Sequence, residues 1–181
     1  MNLILREITL EDKDKIYEMY NEYISATPLV GIDTFERIRD FEKLEYFEFP
    51  KWIETLELNK DEKNLPQDFS PQTIYIALNE EDKIVGAIGL RWKEVPVLMN
   101  FGGFVGYSVR PKERGKGYAT EILRQALEKF KDAGRDKILI SCKNFNDASK
   151  RVIEKNEGVY DSDFFNEEEG YTYSKYWVNI K

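Results

Sequence analysis

Between Phe104 and Ala133 the chain passes from strand to helix through a basic, glycine-rich turn, and few folds accommodate that sequence of events. Phe104-Val105-Gly106-Tyr107-Ser108-Val109 is β-rich and stops at Pro111, which has no amide to give to a ladder. Arg114-Gly115-Lys116-Gly117 makes the turn. From about Gly117 to Ala133 the residues Ala119, Ile122, Leu123, Ala126, Leu127 and Phe130 recur at helical spacing and form one continuous apolar face, ended by Gly134. A strand feeding such a helix implies a sheet with helices packed on it.

The rest of the chain fits that plan. Leu3, Leu5 and Ile8 read as a short strand. Thr9 with Asp12 three residues on resembles a capping box, opening a helix through about Ala26 with Ile16, Met19, Tyr20 and Tyr23 on one side. Residues Asp33 to Lys60 read as one or two helices interrupted at Pro50. Thr73 to Leu78 and Lys83 to Trp92 are β-rich runs joined by a polar turn, a hairpin signal. After the long helix come a buried strand at Lys137 to Ser141, a short helix from Asn146 to Asn156, and aromatic strands at Val159 to Phe165 and Tyr171 to Ile180. No repeat or linker divides the 181 residues, so a single domain over 1–181 is expected, of α+β class with a mixed sheet.

Composition removes several chemistries. The sequence has no histidine, which excludes an imidazole base, a Ser-His-Asp triad and histidine metal ligation. Its one cysteine, Cys142, cannot form an intramolecular disulfide and makes a structural zinc site untenable. A formal net charge of -7 has the wrong sign for general attraction to nucleic acid, so no nucleic-acid partner is expected. No apolar run approaches membrane-spanning length and the start lacks a signal-peptide pattern, so a soluble cytoplasmic protein with no membrane partner is expected. The basic residues from Arg110 to Lys116 cluster, which points to a compact anionic ligand.

A helix start offers unpaired amides and a partial positive charge, and glycines let a phosphate approach the backbone. Diphosphate is the natural occupant. The Walker pattern fails because Lys116 is followed by Gly117, and the dinucleotide fingerprint fails because Gly115-x-Gly117 leads to Thr120. What fits is R-x-x-G-x-A, met by Arg114, Gly117 and Ala119.

That pattern resembles the coenzyme A motif of the Gcn5-related N-acetyltransferases (GNAT), and Gly102 to Thr120 resembles a branch of predicted acetyltransferases within them. The resemblance implies a mostly antiparallel sheet with helices on both faces and a fourth and fifth strand that splay apart. It implies acetyl-coenzyme A as acyl donor, gripped by Arg114, Gly115, Lys116, Gly117, Tyr118, Ala119 and Thr120. Backbone groups of Tyr107, Ser108 and Val109 are expected to hold the thioester and pantetheine. Asn146-x-x-Ser149 is similar to the family's second cofactor helix, which assigns Asn146 and Ser149 to the pantetheine arm.

The implied reaction is attack of an amine on the thioester within a ternary complex. The family's helix tyrosine is replaced here by Ile153, and histidines expected near Trp92 and Phe104 are absent. Glu94, Tyr107 and Glu36 are the candidates for the catalytic base that takes the amine proton, directly or through water. Tyr23, Asp33, Phe35 and Trp92 are candidates for an acceptor cleft, which would take a small-molecule or peptide amine. Two other readings stand beside this one: a coenzyme A-binding sensor without transfer activity, and a domain that uses the turn for another nucleotide or phosphate. The aromatic strand bearing Tyr171, Tyr173, Tyr176 and Trp177 offers a surface for a homodimer.

Overall fold

The computed structural model describes residues 2–25 and 48–180. In chain order they form β1 (Ile4–Glu7), a 3-10 turn, α1 (Lys13–Ser25), α2 (Phe49–Leu58), β2 (Gln72–Leu78), β3 (Ile84–Arg91), β4 (Val105–Val109), α3 (Tyr118–Asp132), β5 (Lys137–Lys143), α4 (Asp147–Lys155), β6 (Val159–Asn166) and β7 (Tyr171–Asn179). The fold is α+β, as the strand-helix pattern implies. Pro50 does not break a helix: it stands in the first turn of α2, where its missing amide has no intrahelical bond to lose.

The capping box at the head of α1 forms. The Asp12 carboxylate takes the Thr9 amide at 2.8 Å and both terminal nitrogens of Arg6 at 2.7 and 2.6 Å. That carboxylate is buried, so the pair fastens β1 to the start of α1.

The strands form two sheets, ordered β1-β2-β3-β4 and β5-β7-β6, and every ladder among the described residues is antiparallel. Side chains alternate across the first sheet and build two cores. On one face Ile74, Ile76 and Ala87 pack beneath Ile16, Met19 and Tyr23 of α1 and Phe49 and Trp52 of α2. On the other, Ile88, Leu90 and Val105 pack with Ile122, Leu123, Ala126 and Phe130 of α3 and Ile153 of α4. The apolar face read from the sequence of α3 is the one buried.

Between β4 and β5 there is no ladder. The two strands touch at one end, where the Phe104 amide donates to the Leu139 carbonyl at 2.8 Å. This break positions the site.

Candidate active site

Ladder parity decides which parts of β4 face the break. Arg91 donates to Phe104 at 2.9 Å and Arg110 donates to Val85 at 2.8 Å, and the register between them is unbroken. Gly106, Ser108 and Arg110 therefore turn their backbone groups toward β3, Val105, Tyr107 and Val109 turn theirs toward β5, and Phe104 divides, its carbonyl on β3 and its amide on β5. Two of the three expected backbone ligands, Tyr107 and Val109, open onto the gap. Ser108 does not: its amide and carbonyl belong to the pairing with Ala87. A strict two-residue alternation makes that unavoidable.

Beyond Val109 the chain makes a 3-10 turn at Pro111–Glu113 and enters the glycine turn. Gly115 has φ 77° and Gly117, the N-cap of α3, has φ 88°, values a Cβ would strain. No atom lies within 4 Å of where a Gly115 Cβ would stand, so that side of the turn is open. The first amide to close a bond at the helix start is that of Glu121, on the Gly117 carbonyl at 3.3 Å. The amides of Tyr118, Ala119 and Thr120 precede it and have no intrahelical partner. This is a cradle of donors at a helix N-terminus, and it fits a diphosphate.

The basic cluster acts differently from the sequence expectation. Arg110 is buried, with Nε 2.7 Å from Glu22 and Nη2 2.5 Å from Glu18, both on α1. The Lys112 amide donates to the other Glu22 oxygen at 2.8 Å. Lys116 lies 2.7 Å from buried Glu113, whose second oxygen holds Lys83 at 2.6 Å. Arg114 stands by the turn, its Nε donating to the Val109 carbonyl at 3.2 Å and its guanidinium 5.9 Å from the Tyr23 ring centre. Arg110 is thus neutralised by α1 and Lys116 by its neighbour Glu113, and backbone donors form the core of the anion cradle.

The odd face of β4 meets α4. The Tyr107 phenol lies 2.7 Å from the Ser149 hydroxyl and 3.3 Å from the Ser149 carbonyl. Burial pushes the phenol well above the ordinary tyrosine range, and its bond to Ser149 offsets only part of this. Tyr107 is therefore a neutral group that holds a proton. Nearby Cys142 is pushed up to about 11 by burial and is a thiol, not a thiolate. Asn146 serves as the N-cap of α4, its side-chain oxygen accepting from the Ser149 amide at 3.1 Å. Ile153, in the place of the family's tyrosine, is fully buried.

Glu94 stands apart from this cluster. Its carboxylate is held by Arg135 at 2.8 Å, just past the C-terminal end of α3, whose fifteen residues span ~22 Å from the glycine turn. Arg135 also donates to the Trp92 carbonyl at 2.5 Å. Trp92 is not a cleft residue: its indole donates to Thr73 at 2.9 Å and its ring packs on Phe130, because a tryptophan at the end of a core strand finds apolar neighbours first. Tyr23 is buried beside Ser108 and under Arg114, its phenol pushed up to about 12 by burial. Asp33, Phe35 and Glu36 lie outside the described residues. Sequence reasoning missed Glu113, Glu22 and the Phe104–Leu139 contact; the paired glycines before Phe104 were the one available signal for the last.

A family model described as an acetyltransferase (GNAT) domain matches residues 2–159. None of the curated proteins matches the sequence. Solved structures do. The chain is similar to an N-acetyltransferase from Staphylococcus aureus Mu50, at 19% identity over 100% of both chains and a TM-score of 0.62. It is similar to a chimera of spermidine N-acetyltransferase SpeG from Vibrio cholerae and hSSAT, at 14% identity, covering 99% of this chain and 96% of that one, TM-score 0.64. It is also similar to yncA from Salmonella typhimurium, solved with its cofactor acetyl-CoA, at 14% identity over 99% and 94% of the chains, TM-score 0.60. At these identities the likeness is one of fold.

Proposed function

This chain belongs to the acetyltransferase (GNAT) family, and within it we propose that it moves the acetyl group of acetyl-coenzyme A to a primary amine by direct attack in a ternary complex. The observation that carries this reading is the continuity of the donor surface. Amides without an intrahelical partner at the head of α3 lead directly to the odd-numbered backbone groups of β4, which face a gap that no strand among the described residues fills. A diphosphate on the turn and an amide-containing arm along Val109, Tyr107 and Val105 satisfy both. Arg114 to Thr120 hold the diphosphate, and Ser149 and Asn146 flank the arm from α4.

In the reaction the amine nitrogen forms a bond to the thioester carbon, the carbon–sulfur bond breaks, and coenzyme A leaves as a thiolate. An amide of β4 in the gap stabilises the oxyanion, a device worth ~3–4 kcal/mol per donor in other enzymes. The thiolate takes a proton, and in this reading Tyr107 gives it, as a neutral phenol on the strand that borders the gap, hydrogen-bonded to Ser149. The amine loses a proton in turn. Glu94, in the loop between β3 and β4 and held by Arg135, is the candidate for receiving it, through water. A single buried thiol suits the reducing cytoplasm as the place of action.

Calorimetry of acetyl-coenzyme A with the wild type and with Gly117→Glu tests the site. Binding is expected in the wild type and lost in the variant, whose carboxylate crowds and repels a phosphate. A panel of amines that includes spermidine, an amino acid and an aminoglycoside, followed by mass spectrometry for an added acetyl group, tests the transfer. Binding with no acetylated product from any amine would leave a coenzyme A-binding module in place of an enzyme.

A further inference from the structure

The gap between β4 and β5 is shut at one end by backbone. The Phe104 amide donates to the Leu139 carbonyl at 2.8 Å. Gly103, at φ 62°, lies so close to β5 that a Cβ there would stand 2.9 Å from the Ser141 nitrogen, 3.1 Å from the Leu139 oxygen and 3.2 Å from the Ile140 Cα. The Ser141 hydroxyl donates to the Phe101 carbonyl. The Phe101 ring in turn packs on Phe164 and Tyr173, with centroids 6.0 and 5.8 Å away. At Gly103 and Phe104 the shut end is main chain against main chain.

The length of β4, which runs from the shut end to the loop that leads into the turn, matches one ligand length. The five residues of β4 span ~16 Å at the usual rise per residue. From the phosphate ester oxygen, a pantetheine arm adds about twelve chain atoms through its sulfur, and an acetyl group about two more. At about three backbone atoms per extended residue this reaches ~15 Å. With the arm laid along β4 from the Val109 end, the acetyl methyl arrives at the Phe104–Leu139 contact.

We infer that this backbone pin measures the acyl group, admitting acetyl and rejecting longer linear acyl chains. The inference rests on the proposed reading of the gap as the acetyl-coenzyme A site. A propionyl or butyryl group has to displace main chain in a close-packed interior, where added methylenes are poorly tolerated.

The test is a calorimetric series with coenzyme A and its acetyl, propionyl and butyryl thioesters on the wild type. Coenzyme A and acetyl-coenzyme A are expected to bind alike, with propionyl about tenfold and butyryl about a hundredfold weaker. Equal affinity along the series overturns the length limit and leaves the cofactor reading intact. Failure of coenzyme A itself to bind overturns that reading, and the limit with it. In Gly103→Ala the added methyl pries the pin apart, and the butyryl penalty should shrink at least about fivefold. If circular dichroism shows that variant unfolded, Ser141→Ala, which removes the hydroxyl tether, is read the same way. A folded variant with the full wild-type penalty assigns the limit to other residues and refutes the pin.

Discussion

The phenol of Tyr107 lies 2.7 Å from the hydroxyl of Ser149, joining β4 to the first turn of α4 across the floor of the gap. A buried phenol so held keeps its proton through the neutral range, and this turns a residue that the sequence offers as a base into an acid.

Tyr107→Phe is expected to bind acetyl-coenzyme A within about threefold of the wild type while kcat falls at least about tenfold, a modest figure because a thiolate is a fair leaving group. Because burial raises the phenol pKa, kcat should not lose this proton donor until pH exceeds the ordinary tyrosine value of about 10. A kcat–pH profile that is the same in both proteins sinks the assignment.

Arg110 and Glu22 have side chains only 4% and 8% exposed, so removing one strands a buried charge. Arg110→Ala should destabilise the fold by ~3–5 kcal/mol, and Arg110→Ala/Glu22→Ala should cost less than the two single changes summed. Urea unfolding of the four proteins measures the coupling; strict additivity would mean that the pair does not interact.

Asp12 carries a pH dependence. Burial opposes its ionisation, but the Arg6 guanidinium and the Thr9 amide outweigh burial, and its pKa lies below the ordinary value. A carboxylate depressed in the folded state contributes in full above its unfolded pKa of about 3.9, and that contribution is lost as pH falls through the lower folded value. Asp12→Asn should therefore cost ~2 kcal/mol at pH 6 and flatten the loss of stability between about pH 4 and 2. Chemical denaturation across that range is the measurement, and parallel wild-type and variant curves would contradict it.

Gly115→Ala isolates backbone strain from crowding, since its φ is 77° and the space beside it is empty. The left-handed geometry should cost ~1–2 kcal/mol of stability. If the turn relaxes to relieve that strain, its amides leave the diphosphate and acetyl-coenzyme A affinity drops. Calorimetry beside thermal unfolding checks both; unchanged affinity would detach the turn's conformation from binding.

Much of the architecture was legible because it is written in short-range patterns. The spacing of Ile122, Leu123, Ala126 and Phe130 predicts the buried face of α3, and the polar turn after Leu78 predicts the hairpin of β2 and β3. Pro50 misled because a proline reads as a break unless the helix start is known. Trp92 misled because an aromatic at a strand end can face a cleft or a core, and only the arrival of Phe130 from α3 decides between them.

By itself the sequence determined the glycine turn, the helix it opens, the family and the absence of imidazole chemistry, all properties of neighbouring residues or of composition. Tertiary structure alone decided which charges remain at the turn and which backbone groups face the gap. Glu22 reaches Arg110 across 88 residues, so a charge that looks available in a local string is neutralised from a distance. The exclusion of Ser108 from the gap follows from a pairing register with β3, and a register exists only once two strands have met.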